Sequence, residues 1–484
     1  MKQLFIALLL MLHSLTAFRT FTFPLRASIR VRRFANLNDK VPKLSQVLIT
    51  KGKERIFEQG DPLVFNGAIS NIIGQPILGD EVMVKDFQGN LLGRGLFNPH
   101  SMYRVRVIAS KDDKLINAPL AALIKCRIEQ AVQSRAAMLL PRSDTDVYRL
   151  INSEGDRLSG VIVDVIGSTV VVQSSALWAE IQKDTIEAGL RSVPQFKDKT
   201  ILWRRALSRL NQDGLQELGT DAAILANMNS ENDVSAADSA AESEVVTENG
   251  IKYKLCAATD QKTGFYCDQR ENRQLIRSVS QGKTVLDAYC YTGGFTLNAL
   301  RGGATRVTSV DSSARAIESL SENLSLNHMR SFVASTSTNN TQSSASDEIS
   351  TEQSTKGQVE LIKGEAERTM QEMIKAKKSF DVVICDPPKL APKRADLERA
   401  MRKYKQINTL AMQLVNPKGG LLLTCTCSAA MTQSGKFESV VQSAARAAGR
   451  EITIVSKSGA ALDHPTVVAC PESNYLTALL VYVY

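Results

Sequence analysis

Four runs in the second half of the chain share one plan, an apolar stretch that reads as a β-strand and stops at or just before an acid. Thr284-Val285-Leu286 stops at Asp287 and continues as Ala288-Tyr289-Cys290-Tyr291-Thr292-Gly293-Gly294-Phe295-Thr296. Val307-Thr308-Ser309-Val310 stops at Asp311, Val359–Ile362 leads to Gly364-Glu365-Ala366, and Phe380–Cys385 stops at Asp386-Pro387-Pro388-Lys389. Ligands of open α/β sheets sit outside the carboxyl ends of strands. Two adjacent glycines, Gly293 and Gly294, let backbone approach a ligand as a Cβ could not. Asp311 suits bidentate hydrogen bonding to ribose hydroxyls, and Glu365 suits the adenine side. The loop is neither G-x-G-x-x-G nor a P-loop, so pyrophosphate is a weak candidate. Acid, Gly-Gly, acid, acid and Asp-Pro-Pro at successive strand ends is the pattern of S-adenosylmethionine-dependent methyltransferases. A dinucleotide-binding enzyme and plain turn residues are the competing readings. The cofactor set at these ends is Asp287, Tyr291, Thr292, Gly293, Gly294, Asp311 and Glu365.

The atom that receives the methyl group is a separate question. Asp-Pro-Pro is shared by enzymes that methylate planar nitrogens, which usually place an aromatic residue next. Here Lys389 follows, and that reading weakens. Downstream, Gly419-Gly420-Leu421-Leu422-Leu423-Thr424-Cys425-Thr426-Cys427-Ser428 is a strand ending in a Cys pair. C5 of cytosine is a poor nucleophile, but a thiolate adding to C6 makes C5 enamine-like. A polar, partly electropositive site favours the thiolate. Asp386, at the end of the neighbouring strand, would hydrogen-bond N3 of the base and favour its protonated form. Residues 425 and 427 face the same side of a strand, so periodicity does not choose between them. Cys-x-Cys on one strand with no His nearby is a poor metal pair, and no metal is expected. Cys126, Cys256, Cys385 and Cys470 read as buried small hydrophobes.

These residues need a scaffold. With 484 residues, 43% hydrophobic and 23% charged, the chain has room for several domains, and wholesale disorder, collagen and coiled coil are excluded. Eight Cys are too few for a disulfide framework. Residues 41–112 read as short strands (Val82-Met83-Val84, Leu91-Leu92, Tyr103–Ile108) between turn signals, and a small β barrel fits. Residues 113–255 read as a central α+β domain. A helix is predicted over 118–140 from Leu120, Ile124, Ile128 and Val132, and a hairpin over Leu158–Gln173 turning at Ile166-Gly167-Ser168. Residues 222–249 and 331–357 are polar, low in aromatics and read as solvated insertions. Residues 256–484 alternate strands and helices, the mark of an α/β sheet. No internal repeat is evident.

Net charge is +9, and six basic residues with no acid in residues 1–38 leave only +3 for the rest. A nucleic-acid argument therefore rests on local patches. Residues 1–38 read as a targeting presequence. Lys2, the apolar run Leu4–Leu12 and Ser14-Leu15-Thr16-Ala17 have signal-peptide form, and an acid-free, Arg-containing stretch to Arg33 follows. The two parts together, with Phe18 after the small residue, resemble the bipartite plastid presequence of algae with secondary plastids. A plastid is the expected location, with the mitochondrion as the alternative.

Longer motifs in order then carry a resemblance. Thr263-Gly264-Phe265-Tyr266-Cys267-Asp268-Gln269-Arg270-Glu271-Asn272-Arg273 precedes the first strand of the α/β sheet. Asp386-Pro387-Pro388-Lys389 is followed by Arg394-Ala395-Asp396-Leu397, and Asp463-His464-Pro465 and Pro471-Glu472 come near the end. Over roughly residues 41–484, outside the two soft insertions, the chain resembles the bacterial 23S ribosomal RNA cytosine-C5 methyltransferases of the RlmI type. The resemblance implies an α/β protein with an N-terminal PUA-like β barrel that binds RNA, a central α+β domain and a C-terminal Rossmann-like class I methyltransferase domain. It implies S-adenosylmethionine as cofactor, large-subunit ribosomal RNA as partner, a possible homodimer, and catalysis by Cys427 with Asp386. It also implies cofactor contacts from the Thr263–Arg273 segment, with Thr263, Phe265, Asp268 and Arg270 as candidates, and from Asp287, Asp311 and Asp386. Glu365 stands where the family usually has Asp, and Ser473 and Thr477 stand where it usually has Gly and Lys.

Beside Asp386, the segment Lys389–Lys405 is strongly basic. Lys389, Lys393, Arg394, Arg399, Arg402 and Lys403 are candidate RNA contacts, and Leu397, Met401, Tyr404, Ile407 and Leu414 form an apolar stripe that turns them outward. Such charge would hold phosphates and make binding salt-dependent; a solvated helix face is the bland alternative. Two other functional readings stay open. One is methylation of a base nitrogen on the same fold. The other is an RNA-binding ribosome-assembly factor whose methyltransferase domain is idle.

Overall fold

The computed structural model describes residues 44–218, 243–256, 265–329, 331–333 and 357–484. Residues 1–38, read above as a targeting presequence, Thr263, and most of the two spans read as insertions lie outside the described residues.

Runs of Val, Ile and Leu broken by turns build the first sheet. Its strands are β1 (Ser45–Ile49), β2 (Leu63–Phe65), β3 (Ile69–Ile73), β4 (Glu81–Lys85), β5 (Leu91–Phe97) and β6 (Tyr103–Ser110). Their spatial order is β2-β6-β5-β4-β1-β3, so β2 and β3 are edges rather than partners. Val47, Ile49, Val64, Val82, Val84, Leu92, Phe97 and Val105 nevertheless meet in one apolar interior. The sheet thus encloses a barrel-like core without closing a hydrogen-bonded cylinder.

Helix α1 (Leu120–Ala137) follows Pro119 and buries Leu123, Ile124, Ile128 and Ala131. The buried face is rotated from the expected Leu120–Val132 stripe because Arg127 and Arg135 also point inward, to the Ile108 carbonyl with Asp113 and to Asp156 with the Arg149 carbonyl. Strands β7 (Val147–Asn152), β8 (Val161–Ile166), β9 (Thr169–Ser174) and β10 (Thr200–Arg205) form the second sheet, in the order β10-β9-β8-β7. The β8–β9 hairpin closes with Ile166 opposite Thr169, and Gly167 takes the positive φ of +50° that the tight turn requires. Helix α2 (Lys183–Arg191) packs on α1.

Residues 244–249 correct the reading of 222–249 as wholly solvated. They form β11 (Glu244–Glu248) and its turn, paired with β12 (Ile251–Leu255). Val246 enters an apolar cluster and Glu248 enters ion pairs with Arg270 and Arg273. The inward-facing pair is one apolar and one acidic residue, so the alternation is invisible to hydropathy. Residues 331–333 likewise pair as an edge strand inside the span read as the second insertion.

The C-terminal region is a doubly wound sheet. In chain order its elements are α3 (Arg270–Val279), β13 (Thr284–Asp287), α4 (Gly294–Arg301), β14 (Arg306–Asp311), α5 (Ala314–Leu326), β15 (Ser331–Val333) and β16 (Gln358–Lys363). Then come α6 (Ala366–Lys375), β17 (Val382–Cys385), α7 (Leu397–Gln413), β18 (Gly420–Thr426), α8 (Ala429–Ser434), α9 (Phe437–Ala448), β19 (Ile452–Ser458) and β20 (Thr477–Val483). The strand order is β15-β16-β14-β13-β17-β18-β20-β19, with β20 antiparallel to both neighbours. β13 is parallel to both neighbours, and the order in which strands are added reverses beside it, which makes the carboxyl ends of β13, β14 and β17 the expected ligand crevice. Both faces are covered, so these strands read as continuous apolar runs. Leu286, Val383, Cys385 and Leu422 pack toward α6, α7 and α9, whereas Val285, Ile384, Leu423 and Cys425 pack toward α3 and α4.

Candidate active site

The four acids predicted at strand ends all stand there, in four distinct environments. Asp287 is fully buried. Its Oδ2 accepts from the Thr296 N–H at 3.1 Å and from the Thr296 hydroxyl at 2.8 Å. Its Oδ1 is buried without a hydrogen-bond partner among the described residues. Burial pushes the carboxyl up to about 7 against the pull of the Thr296 hydrogen bonds. Asp311 accepts from the Tyr291 N–H and the Ser313 N–H, both at 2.9 Å, one on each oxygen. It therefore shapes the loop after β13 while keeping a second lone pair on each oxygen for a ligand hydroxyl. Glu365 stands at the position before α6, makes no capping bond to it with its side chain, and is exposed. Asp386 is half-buried, and its Oδ2 accepts from Gln269 Nε2 at 2.9 Å. An unsatisfied buried acceptor, a diol-shaped carboxylate and an open Glu at adjacent strand ends fit the ammonium, ribose and adenine of S-adenosylmethionine.

The two glycines have a different cause from the one expected. A Cβ on Gly293 would lie 2.1 Å from Leu320 Cδ1, and the residue holds φ +92°, so packing and backbone conformation both demand Gly. A Cβ on Gly294 would lie 2.9 Å from Arg273 Cδ. The protein's own side chains fill the space that a Cβ would take at either position. Tyr291 also has positive φ, and Thr292 is held through its carbonyl by Asn323 Nδ2 at 3.0 Å.

Strand β18 separates the two cysteines that periodicity could not. Cys425 lies within the strand, opposite Ala478, with no exposed surface. Burial, reinforced by the charge of Asp386, pushes its thiol well up, so it stays protonated and inert. The strand ends at Thr426, and Cys427 stands just beyond it, partly exposed. The neighbouring parallel strand aligns Cys385 with Thr424, so both chains reach the same edge with Asp386 and Cys427. Tyr266 stands by both: its phenol is pushed up by burial first and then by Asp268, Cys427 and Asp386. Its ring meets Tyr291 edge-on at 5.4 Å.

The Phe265–Arg273 segment divides between two tasks. Phe265 packs against Tyr253, with ring centroids 4.9 Å apart, beneath the Arg273 guanidinium. Asp268 accepts from the Tyr475 hydroxyl at 2.7 Å. Arg270 points away from the strand ends, donating to Asp463 at 2.8 Å and to the Val147 carbonyl at 3.1 Å. Phe265 and Arg270 thus serve the core and the domain junction rather than the cofactor edge. Gln269, absent from the predicted set, faces the site along with Tyr266. Its Oε1 accepts from Asn272 Nδ2 at 2.6 Å, which turns Nε2 toward Asp386. Asn272 is in turn fixed by Ser458 Oγ at 2.6 Å. The signal was present in the sequence as Asp268-Gln269-Arg270, but an amide carries no charge pattern to single it out.

Beyond Asp386, Lys389, Lys393, Arg394, Arg399, Arg402 and Lys405 are exposed, while Tyr404 and Ile407 are buried, as the α7 stripe implies. Lys403 is the exception: its ammonium pairs with Glu367 of α6 at 2.6 Å, which takes it from the phosphate-contact set. Arg399 pairs with Asp396 at 3.0 Å but stays exposed. Among the described residues there is no group of three or more metal-ligating side chains, and no helix long and apolar enough to cross a membrane.

Comparison with known proteins adds three findings. Residues 47–110 match a PUA-like domain, and residues 228–335 match an S-adenosylmethionine-dependent methyltransferase. Ribosomal RNA large subunit methyltransferase I of Shewanella frigidimarina is 32% identical over 440 residues, covering 91% of this chain and 99% of that protein. The protein of the same name from Aeromonas hydrophila is 33% identical over 438 residues, with 90% and 99% covered. Among solved structures, a Streptococcus mutans protein described as a candidate SAM-dependent methyltransferase shares the fold at a TM-score of 0.67 and 18% identity, over 90% of this chain and 99% of that one. A candidate methyltransferase complexed with SAH superposes at 0.68, also at 18% identity, with the same coverage of both chains.

Proposed function

The chain belongs to the ribosomal RNA large subunit methyltransferase I family, and from that premise we propose that it forms 5-methylcytidine in large-subunit ribosomal RNA through a covalent bond between Cys427 and C6 of the target base. Methylation here is S-adenosylmethionine-dependent. When bound, that cofactor supplies an electrophilic methyl group. Asp287, Asp311 and Glu365 would hold it, with the Tyr291–Gly294 loop as its floor.

The observation that carries the cytosine-C5 reading is the contrast between the cysteines. Cys427 is accessible at a strand end beside Asp386, and Cys425 is sealed in the sheet. Addition of the Cys427 sulfur to C6 loads electron density onto C5, the atom that must attack. Gln269 occupies Oδ2 of Asp386 and so orients the carboxylate for the N3 edge of the base. Once C5 carries the methyl group, loss of its proton expels the sulfur and restores the thiolate. The base must be unpaired or flipped, since C6 is unreachable within a stack. The exposed cations from Lys389 to Arg402 support RNA binding by holding phosphates beside the site.

Digestion of large-subunit ribosomal RNA after reaction with S-adenosylmethionine, followed by nucleoside mass spectrometry, tests this. The reading expects 5-methylcytidine as the product, and none from the Cys427→Ala protein. A methyl group on a base nitrogen, or full activity in Cys427→Ala, would contradict it.

A further inference from the structure

Tyr404 lies on the face of α7 opposite its cations and has no exposed surface. Its ring packs edge-on against Phe437 with centroids 5.5 Å apart, and its hydroxyl reaches the end of β18. Thr426 Oγ1 donates to that hydroxyl at 2.8 Å, which leaves the phenol proton for Ser428 Oγ at 3.3 Å. The Ser428 N–H donates back to Thr426 Oγ1 at 3.2 Å. These bonds close a ring around the residue between them, which is Cys427. Ser428 Oγ also accepts from the Ala391 N–H at 3.1 Å. Ala391 belongs to the loop that starts at Asp386. One cluster of hydroxyls therefore ties the loop of the nucleophile to the loop of the base-orienting acid, and ties both to the helix whose outer face is basic.

All of these groups are buried. Buried hydroxyls are costly unless paired, and Phe, Val and Ala would fill similar volumes without that cost. Burial pushes the Tyr404 phenol up to about 12, so it stays a donor through neutral pH.

We infer that Tyr404 is a positioning residue whose hydroxyl, through Thr426 and Ser428, sets the approach of the Cys427 sulfur to a base held at Asp386. This rests on the covalent reading above.

The test uses the full chain, S-adenosylmethionine and large-subunit ribosomal RNA transcribed with 5-fluorocytidine, which traps the adduct because, once C5 is methylated, fluorine in place of its proton blocks elimination. Misplacement by about an ångström costs on the order of 10²-fold, so Tyr404→Phe and Thr426→Val should form adduct ~10- to 100-fold more slowly. Thr426→Ser, which keeps the hydroxyl, should restore most of the rate. Equilibrium binding of RNA and of S-adenosylmethionine should be unchanged. Alkylation of Cys427 by iodoacetamide, followed by peptide mass spectrometry, needs no alignment and should also be unchanged. Adduct formation at the parent rate in Tyr404→Phe would overturn the clasp alone. Parallel loss of adduct, binding and alkylation would reduce Tyr404 to a structural role and overturn it too. No adduct in the parent chain would bring down the covalent reading itself, and the clasp with it.

Discussion

The domain junction and the strand-end crescent are both rich in buried charge, but they handle it in opposite ways. At the junction every acid meets a guanidinium. Arg135 forks onto Asp156 at 2.5 and 2.8 Å, Arg149 onto Asp164 at 2.7 and 3.1 Å, and Arg273 onto Glu248 at 2.7 and 2.6 Å. Asp463 binds the Arg270 guanidinium and the Arg149 N–H, each at 2.8 Å, and the His464 ring at 2.9 Å. Burial alone would push the Asp463 carboxyl up; His464 and Arg270 override it and hold it far below the usual carboxylate range. At the crescent two of the acids are handled differently. Asp287 keeps a bare oxygen and a raised pKa, and Glu365 faces solvent. Opposite charges paired with one another hold the junction, even though Arg270 Nε and Nη1 keep no hydrogen bond there, whereas the bare oxygen of Asp287 has no cation beside it among the described residues and is placed to receive a ligand. The Asp268–Arg273 segment contributes to both, with Arg270 and Arg273 at the junction and Gln269 at the site.

The largest effect should come from breaking the junction. Asp463→Ala removes the nearer carboxylate of buried Arg270, leaving it only the longer contact to Glu248, and should cost about 3–5 kcal/mol of unfolding free energy, measured by denaturant titration. Loss of less than about 1 kcal/mol would show that the network is not coupled to folding. Next is the pH response of Asp287. Its folded pKa of about 7 lies above the ordinary value near 3.9 of an unfolded Asp, so the native state binds the extra proton between them. That contribution to stability is full below about pH 4 and is lost as pH rises through about 7, by at most ~1.4 kcal/mol per unit. Asp287→Asn should flatten this part of the stability curve. Affinity for the cationic cofactor should run the other way, rising through pH 7 in the parent and staying flat in Asp287→Asn. A pH-independent parent affinity would place the ammonium elsewhere. Gly293→Ala should cost about 1–3 kcal/mol from the left-handed backbone, with the Leu320 clash adding to it; a chain as stable as the parent would contradict the packing account. The smallest effect belongs to the outer face of α7. Lys393→Gln or Arg394→Gln should each lower the salt slope of RNA binding by about one. Lys403→Gln, already paired to Glu367, should leave the slope unchanged.

Much of the crescent was legible because an apolar strand ending in an acid is a one-dimensional pattern. Asp287, Asp311 and Asp386 needed only local periodicity. The glycine pair was found, but its cause was not, because Leu320 and Arg273 lie far off in sequence. Arg270 looked like a ligand contact until Asp463, 193 positions later, claimed it. The choice between Cys425 and Cys427 was also hidden. Both share the period of a strand, and only the end of β18 at Thr426 sets one in the core and the other in the open. Residues 244–249 were misjudged for a related reason: the inward partner of Val246 is Glu248, whose burial makes sense only beside Arg270 and Arg273.

The central claim is that one of two nearly adjacent cysteines is the nucleophile. It is tested most directly by incubating the parent chain, Cys427→Ala and Cys425→Ala with S-adenosylmethionine and 5-fluorocytidine-containing large-subunit ribosomal RNA, then running a denaturing gel. The account predicts a heat-stable protein–RNA band in the parent and in Cys425→Ala, and none in Cys427→Ala. A band that survives in Cys427→Ala, or vanishes only in Cys425→Ala, would contradict it.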